Sequence, residues 1–137
     1  MKKSELKIEA SVDKLDTVLA FLEEKLEAAD CPLKTQMQIT VAAEEIFVNV
    51  AQYAYAPGTG DVTVAVAFSD EPSSVTVSFT DSGIPFDPLS RQDPDISLSA
   101  EEREVGGLGI YMTKKLLDQL HYEYRNGQNV LSLTKLL

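Results

Sequence analysis

One cysteine, one histidine and no cluster of basic residues set the first limits on this 137-residue chain. A lone Cys31 cannot close an internal disulfide, and no second Cys or His stands at metal-ligand spacing from it. It reads as a small, partly buried hydrophobe. No run approaches the roughly 20 apolar residues needed to span a bilayer. The opening MKKSELKIEA carries three lysines without the apolar stretch of a secretory leader. The expectation is a cytoplasmic protein with no membrane partner. Basic residues are scarce, with 12 Lys and Arg against 22 Asp and Glu, a formal net charge of −10. That charge repels phosphate backbones and acidic membranes, which argues against nucleic acid. It does not prevent a small phosphate ligand from being held by backbone N–H groups and a metal ion.

What remains is a chain that is 44% hydrophobic, enough for a single packed core, so residues 1–137 are expected to form one domain. Residues 5–12 (ELKIEASV) alternate as a half-buried strand does, and Asp13 then offers an N-cap to an apolar-periodic stretch through about Ala29. Asp30-Cys31-Pro32 breaks the pattern. A long helix is predicted from Thr35 to Tyr55, stopped by Pro57, Gly58 and Gly60. Asp61–Phe68 and Ser74–Thr80 read as a hairpin around the turn residues 69–73. Residues 81–109 are rich in Gly, Pro, Asp and Ser with little periodicity, longer than an ordinary connection and so functional or mobile. A further helix is predicted from about Gly107 to Leu120, followed by a tight hairpin around Asn126-Gly127. These elements argue for an α+β two-layer sandwich, a largely antiparallel or mixed sheet with helices on one face.

Three constellations carry chemistry. Along the long helix, Ile39, Ala42, Ala43, Ile46, Phe47, Val50 and Tyr53 fall in one apolar sector at 100° per residue. Gln38, Glu45, Asn49 and Gln52 flank it, with Glu45 and Asn49 neighbours at i and i+4; a solvated flank would read the same way. In Asp81-Ser82-Gly83-Ile84-Pro85-Phe86-Asp87, Gly83 permits positive φ and close backbone approach, and Asp81 can accept a hydrogen bond from a planar ligand. Any tight turn uses the same residue types. Gly106-Gly107-Leu108-Gly109-Ile110 leads into a helix, where freed backbone and unpaired N–H groups can wrap a phosphate, or simply form a hinge. It is neither a P-loop nor a dinucleotide fingerprint, since no parallel βαβ unit surrounds it.

Order and spacing make the three together far more specific than each alone. The runs EEIFVNVAQYAY (44–55), DSGIPFDP (81–88) and GGLGIYMTKKLLDQLHY (106–122) resemble the N, G1 and G2 boxes of the gyrase, chaperone, histidine-kinase and MutL ATPase superfamily. The likeness is to the branch of bacterial anti-sigma-factor serine kinases and covers essentially the whole chain. It implies a Bergerat-type ATP-binding fold with ATP and Mg²⁺ as cofactors. By that resemblance Asn49 would coordinate Mg²⁺, Glu45 would be the general base accepting a serine hydroxyl proton, and Asp81 would hydrogen-bond the adenine amino group. Gly83 would let the base approach, while Gly107, Leu108 and Gly109 would form the phosphate loop. Residues 88–105 would be the ATP lid, with Arg103 a phosphate contact. Two positions depart from the pattern: Pro85 replaces the second Gly of the G1 box, and Tyr53 stands where a His often follows the box Asn.

The function this implies is an ATP-dependent protein-serine kinase of bacterial regulation. It would phosphorylate a small antagonist protein of the anti-anti-sigma type and sequester a sigma factor or similar regulator, as a homodimer. The alternative is a switch module in which ATP alters partner affinity through the lid without efficient transfer. An ATPase clamp for DNA topology or repair is disfavoured by the chain's length and the missing transducer domain. His121, the only histidine, follows no phosphoacceptor helix and is assigned a structural role. Lys114 and Lys115 are taken as solvent or helix-end contacts, and the acidic stretch 93–104 as a solvated surface rather than a metal site.

Overall fold

Branched and aromatic residues at every second position build the sheet of this protein. The computed structural model describes residues 2–55, 58–70, 73–85, 113 and 115–137. The strands are β1 (Lys2–Glu9), β2 (Asp61–Asp70), β3 (Ser73–Asp81), β4 (Gln119–Arg125) and β5 (Gln128–Leu136), and the helices α1 (Leu15–Ala28) and α2 (Leu33–Tyr53). The strands form one sheet in the order β1-β2-β3-β5-β4, with every neighbouring pair antiparallel. Val62, Val64 and Val66 of β2 lie opposite Asp81, Phe79 and Val77 of β3, and the last two of these lie opposite Leu131 and Leu133 of β5. Strand side chains alternate between faces, so this register puts all of these residues on one face.

That face is covered by the helices. Val18, Leu22 and Leu26 of α1 and Ile39, Ala42, Ala43, Ile46 and Phe47 of α2 are buried in the same cluster as the sheet valines. Each fully buried Val, Leu, Ile or Phe contributes about 1.5–3 kcal/mol, so this ladder supplies most of the drive to fold. The sheet's other face is small and polar, with Thr76 and Thr134 hydroxyls 3.0 Å apart across β3 and β5. The architecture is the α+β sandwich expected, and its pairing is antiparallel throughout the described residues.

Several boundaries move for identifiable reasons. Ser11, rather than Asp13, accepts the capping hydrogen bond, from Asp13 N at 3.3 Å, and a 3₁₀ turn at Val12–Lys14 precedes α1. At the end of α1, Asp30 takes φ 57 while Asp30 N donates to Glu27 O and Cys31 N to Leu26 O. This is the Schellman arrangement, with an Asp in the left-handed position and buried Leu26 and Cys31 closing it. Burial pushes the Cys31 thiol pKa up, and Asp30 pushes it further in the same direction. Gln36 Nε2 donates to Cys31 O at 2.8 Å and to Glu27 Oε2 at 3.0 Å, tying α1 to the start of α2.

The first hairpin is longer than predicted, since Ser69, Asp70 and Ser73 join the ladder. The second is as predicted, with Asn126 at φ 55 and Gly127 at φ 78, the two positive angles a type I′ turn needs. The predicted helix to Leu120 ends earlier. Thr113, Lys115 and Leu116 are helical, but Gln119 and Leu120 belong to β4, held by Asp118 N donating to Thr134 O at 3.1 Å. Leu120 and Tyr122 pack against the core from β4, which is why their apolar spacing mimics a continuing helix. The start of that predicted helix lies outside the described residues.

Candidate functional site

The apolar ladder changes character at one end. Asp81 is the last core-facing residue of β3 and Asn129 the first of β5; they are directly opposite each other and only 4% exposed each. Above them α2 changes in the same way, because the sector that carries Ile46 and Phe47 continues into half-buried Val50 and Tyr53, which is 39% exposed. Tyr53 therefore departs from its predicted core position. A pocket, about 360 Å³ with the solvent at its mouth, opens beside this end of the helix. Ile46, Asn49, Val50 and Ala54 line it from the helix, and Phe79, Asp81, Tyr122, Asn129 and Leu131 from the sheet. Apolar walls with a few convergent polar groups are the ordinary composition of a small-molecule site.

Asn49 is buried, at 6% exposure, and its side chain is oriented by its own helix. Nδ2 donates to Glu45 O at 2.8 Å and to Glu45 Oε1 at 3.1 Å. A backbone carbonyl only accepts, so the amine end of the amide must face Glu45 and the oxygen end is left for a ligand. Glu45 itself is half-buried and does not line the pocket. Its carboxylate is thus beside the pocket wall, coupled to Asn49.

Asp81 Oδ1 accepts from Gly83 N at 2.9 Å and from Asn129 Nδ2 at 2.9 Å. Both donors use the same oxygen, which leaves Oδ2 to a ligand. The loop behind it is pinned to the end of α2. Ile84 N donates to Ala54 O at 2.9 Å, and Tyr55 Oη accepts from Ser82 N at 2.8 Å while donating to Asp61 O at 2.6 Å. Gly83 does not have positive φ. Its glycine is needed for packing, since a Cβ there would stand 2.6 Å from the carbonyl carbon and 2.8 Å from the Cβ of Ala54. Gly83→Ala should therefore destabilise the fold by about 1–3 kcal/mol through overpacking against backbone. Urea denaturation at constant slope would measure it, and an unchanged midpoint would show that the loop yields freely.

Of the residues singled out from sequence, Asn49 and Asp81 share the pocket wall, Glu45 bonds to Asn49, and Gly83 bonds to Asp81. Gly107, Leu108, Gly109 and Arg103 lie outside the described residues, as does the predicted lid at 88–105. His121 is exposed on β4 opposite Ser132. Asn129, Tyr122 and Tyr55 were not singled out. Parity could have found Asn129, a polar residue in step with buried Leu131 and Leu133. Among the described residues, no helix is long and apolar enough to cross a membrane.

Comparison with known proteins follows the same lines. Residues 8–135 match the model of a family described as the histidine kinase-like ATPase domain. Serine/threonine-protein kinase BtrW of Bordetella bronchiseptica is 25% identical over 101 residues, covering 74% of this chain and 70% of that protein. Serine-protein kinase RsbW of Bacillus anthracis is 30% identical over 95 residues, 66% of this chain. The chain spans 58% of the length of that relative. Among solved structures, the RsbU and RsbW domains of a Mycobacterium tuberculosis protein superpose with a TM-score of 0.71 at 20% identity, over 100% of this chain and 33% of that one. The histidine kinase domain of the Erythrobacter litoralis blue-light activated histidine kinase gives 0.57 at 18% identity, over 78% of this chain and 46% of the other. At these identities the structural likenesses speak for the fold.

Proposed function

This chain belongs to the histidine kinase-like ATPase domain family, and from that premise we propose that it is an ATP-dependent protein-serine kinase. The observation that carries the reading is the grouping of Glu45, Asn49 and Asp81 about one pocket, and the serine-kinase names of its relatives support it. Asp81 Oδ2 takes the adenine amino group, with Ile46, Val50, Phe79 and Leu131 against the base. Asn49 offers its amide oxygen to Mg²⁺, a ligand of the hard oxygen type this ion takes in small number alongside phosphates and water. Bound there, the ion neutralises charge across the phosphates during transfer. Glu45 accepts the proton of a partner's serine hydroxyl as that oxygen bonds to the γ-phosphorus and the bond to the β-phosphate oxygen breaks, releasing ADP.

In this reading, Gly107, Leu108 and Gly109 surround the phosphates, residues 88–105 close over them, and Arg103 reaches the γ-phosphate. The substrate is a small antagonist protein of the anti-anti-sigma type, and the sequestered partner is a sigma factor or similar regulator. We place this chemistry in the cytoplasm, in a homodimer. The net charge of −10 directs its binding toward proteins rather than nucleic acid or membranes.

Titration of ATP with and without Mg²⁺ tests the site. Asn49→Ala should lose most of the Mg²⁺ enhancement, about ten-fold or more in affinity, since a hydrogen bond or ligand to a charged group is worth about 1.5–3 kcal/mol. Adenosine, which carries no phosphate, should bind the variant and the wild type alike. A variant that keeps the full Mg²⁺ enhancement would remove Asn49 from the ion's site.

A further inference from the structure

Strand β1 closes one end of the sheet order β1-β2-β3-β5-β4, and it is 8 residues long with neither Pro nor bulge. Ala10 N donates to Gly60 O at 2.8 Å, so the pair that follows Glu9 and Asp61 is a hydrogen-bonded one. Antiparallel pairs alternate in this respect. Ile8, Leu6 and Ser4 therefore turn their backbone groups to β2, while those of Lys3, Glu5, Lys7 and Glu9 point to the free edge. The side chains of these same four residues are exposed, on the sheet face away from the helices. Among the described residues, no other strand takes up this edge. A long flat edge is ordinarily blunted by charge of one sign, Pro or a bulge. Here Lys and Glu alternate instead, and three lysines with two glutamates make β1 slightly basic on a chain of net charge −10.

We infer that β1 is a docking edge for a second copy of this chain, paired antiparallel across a two-fold axis at Leu6 so that the two sheets become one. The inference rests on the homodimer reading and not on the nucleotide pocket. Charge selects the register. Edge-facing residues must stand opposite edge-facing residues, so the strand can slip only in steps of two. With Leu6 opposite itself, Lys3 faces Glu9 of the second copy and Glu5 faces its Lys7, so every exposed pair is of opposite charge. A slip of two sets Lys3 against Lys7 and Glu5 against itself, or Glu5 against Glu9 and Lys7 against itself. A slip of four restores opposite charges but leaves half of the edge or more unpaired. The favoured register also gives Leu6 a neighbour. That side chain is half-buried on the helix-bearing face and, unlike Ile8, does not pack against the core cluster of the described residues. Within the strand, Lys3 Nζ lies 3.8 Å from Glu5 Oε2, an exposed pair that contributes little and yields to cross-strand partners.

Sedimentation equilibrium tests this on wild type, Lys3→Glu/Lys7→Glu and Glu5→Lys/Glu9→Lys, each checked for folding by circular dichroism. Protein at about 100 μM populates even a weak dimer, and wild type should be dimeric there. Each double variant sets like charges opposite in every register and should dissociate about ten-fold more readily or more. An equimolar mixture of the two should dimerise again, since an all-Glu edge then faces an all-Lys edge. Cross-linking reads the register. Leu6→Cys should form a disulfide between copies on oxidation, because opposite residues of a non-hydrogen-bonded pair stand about 4.5 Å apart at Cα. Ser4→Cys, which would face Ile8, should not. Dimers undiminished in both double variants, or a link through Ser4→Cys and none through Leu6→Cys, would overturn the inference and leave the homodimer with another interface. A monomeric wild type would overturn it together with the homodimer reading. Both results leave the nucleotide site as it is.

Discussion

Glu45→Gln should leave ATP affinity within about two-fold of wild type and lower the transfer of labelled γ-phosphate to a partner serine by about 10²- to 10⁴-fold, the usual contribution of a positioned general base. Its retained binding follows from how Asn49 is held. The 2.8 Å bond from Asn49 Nδ2 ends on the backbone carbonyl of residue 45, which the substitution does not touch. Only the 3.1 Å bond ends on the side chain, and a Gln oxygen can accept it equally well. Glu45 does not line the pocket, so the adenine contacts are also preserved. What the amide cannot do is take up the serine proton. The assay requires a co-purifying partner that wild type phosphorylates. A bound partner that is never labelled would favour the switch reading, in which ATP changes affinity without chemistry. Transfer undiminished in the variant would keep the kinase and move the base elsewhere. Glu44 is a poor substitute, being exposed about 100° around the helix.

Periodicity made most of the fold legible. The two-residue spacing of Val62, Val64 and Val66 and the Asn126-Gly127 pair specify strand and turn locally, because face alternation and positive φ are properties of adjacent residues. Legibility stops where partners come from distant segments. Leu120 continues an apolar helical spacing, yet its neighbours across the ladder are on β5, and the strand prevails. Gly83 announced a special backbone, but its special feature is a contact with Ala54, 29 positions away in the chain, rather than a positive angle.

The site shows the same division. Glu45 and Asn49 were readable as an i, i+4 pair because one helix turn carries both. Asp81 was readable as an acceptor at a strand end, but its partner Asn129 is 48 residues on, and only the β3–β5 register brings the two together. Both amides of the site obey one device. Asn49 is oriented by Glu45 O and Asn129 by Ile84 O, so backbone carbonyls, which never donate, decide where the donor end and the acceptor end of each amide lie.

That device sharpens the expected result for Asp81→Asn, which should weaken ATP by about 10- to 150-fold. In wild type, Oδ1 receives Gly83 N and Asn129 Nδ2, both at 2.9 Å. An Asn at this position must keep its oxygen there, because turning its NH₂ there would set it against two donors, Gly83 N and Asn129 Nδ2. The NH₂ is then forced into the place of Oδ2, facing the adenine amino group, so a donor meets a donor where an acceptor had been. The loss of affinity thus has two sources, a missing charge-assisted hydrogen bond and a desolvated amine with no partner. Folding should survive, since the two donors remain satisfied and the apolar ladder of Phe79 and Val77 below is untouched. Calorimetry of ATP binding, with thermal unfolding measured in parallel, separates the two effects. An unchanged ATP affinity in a folded variant would remove Asp81 from the adenine site.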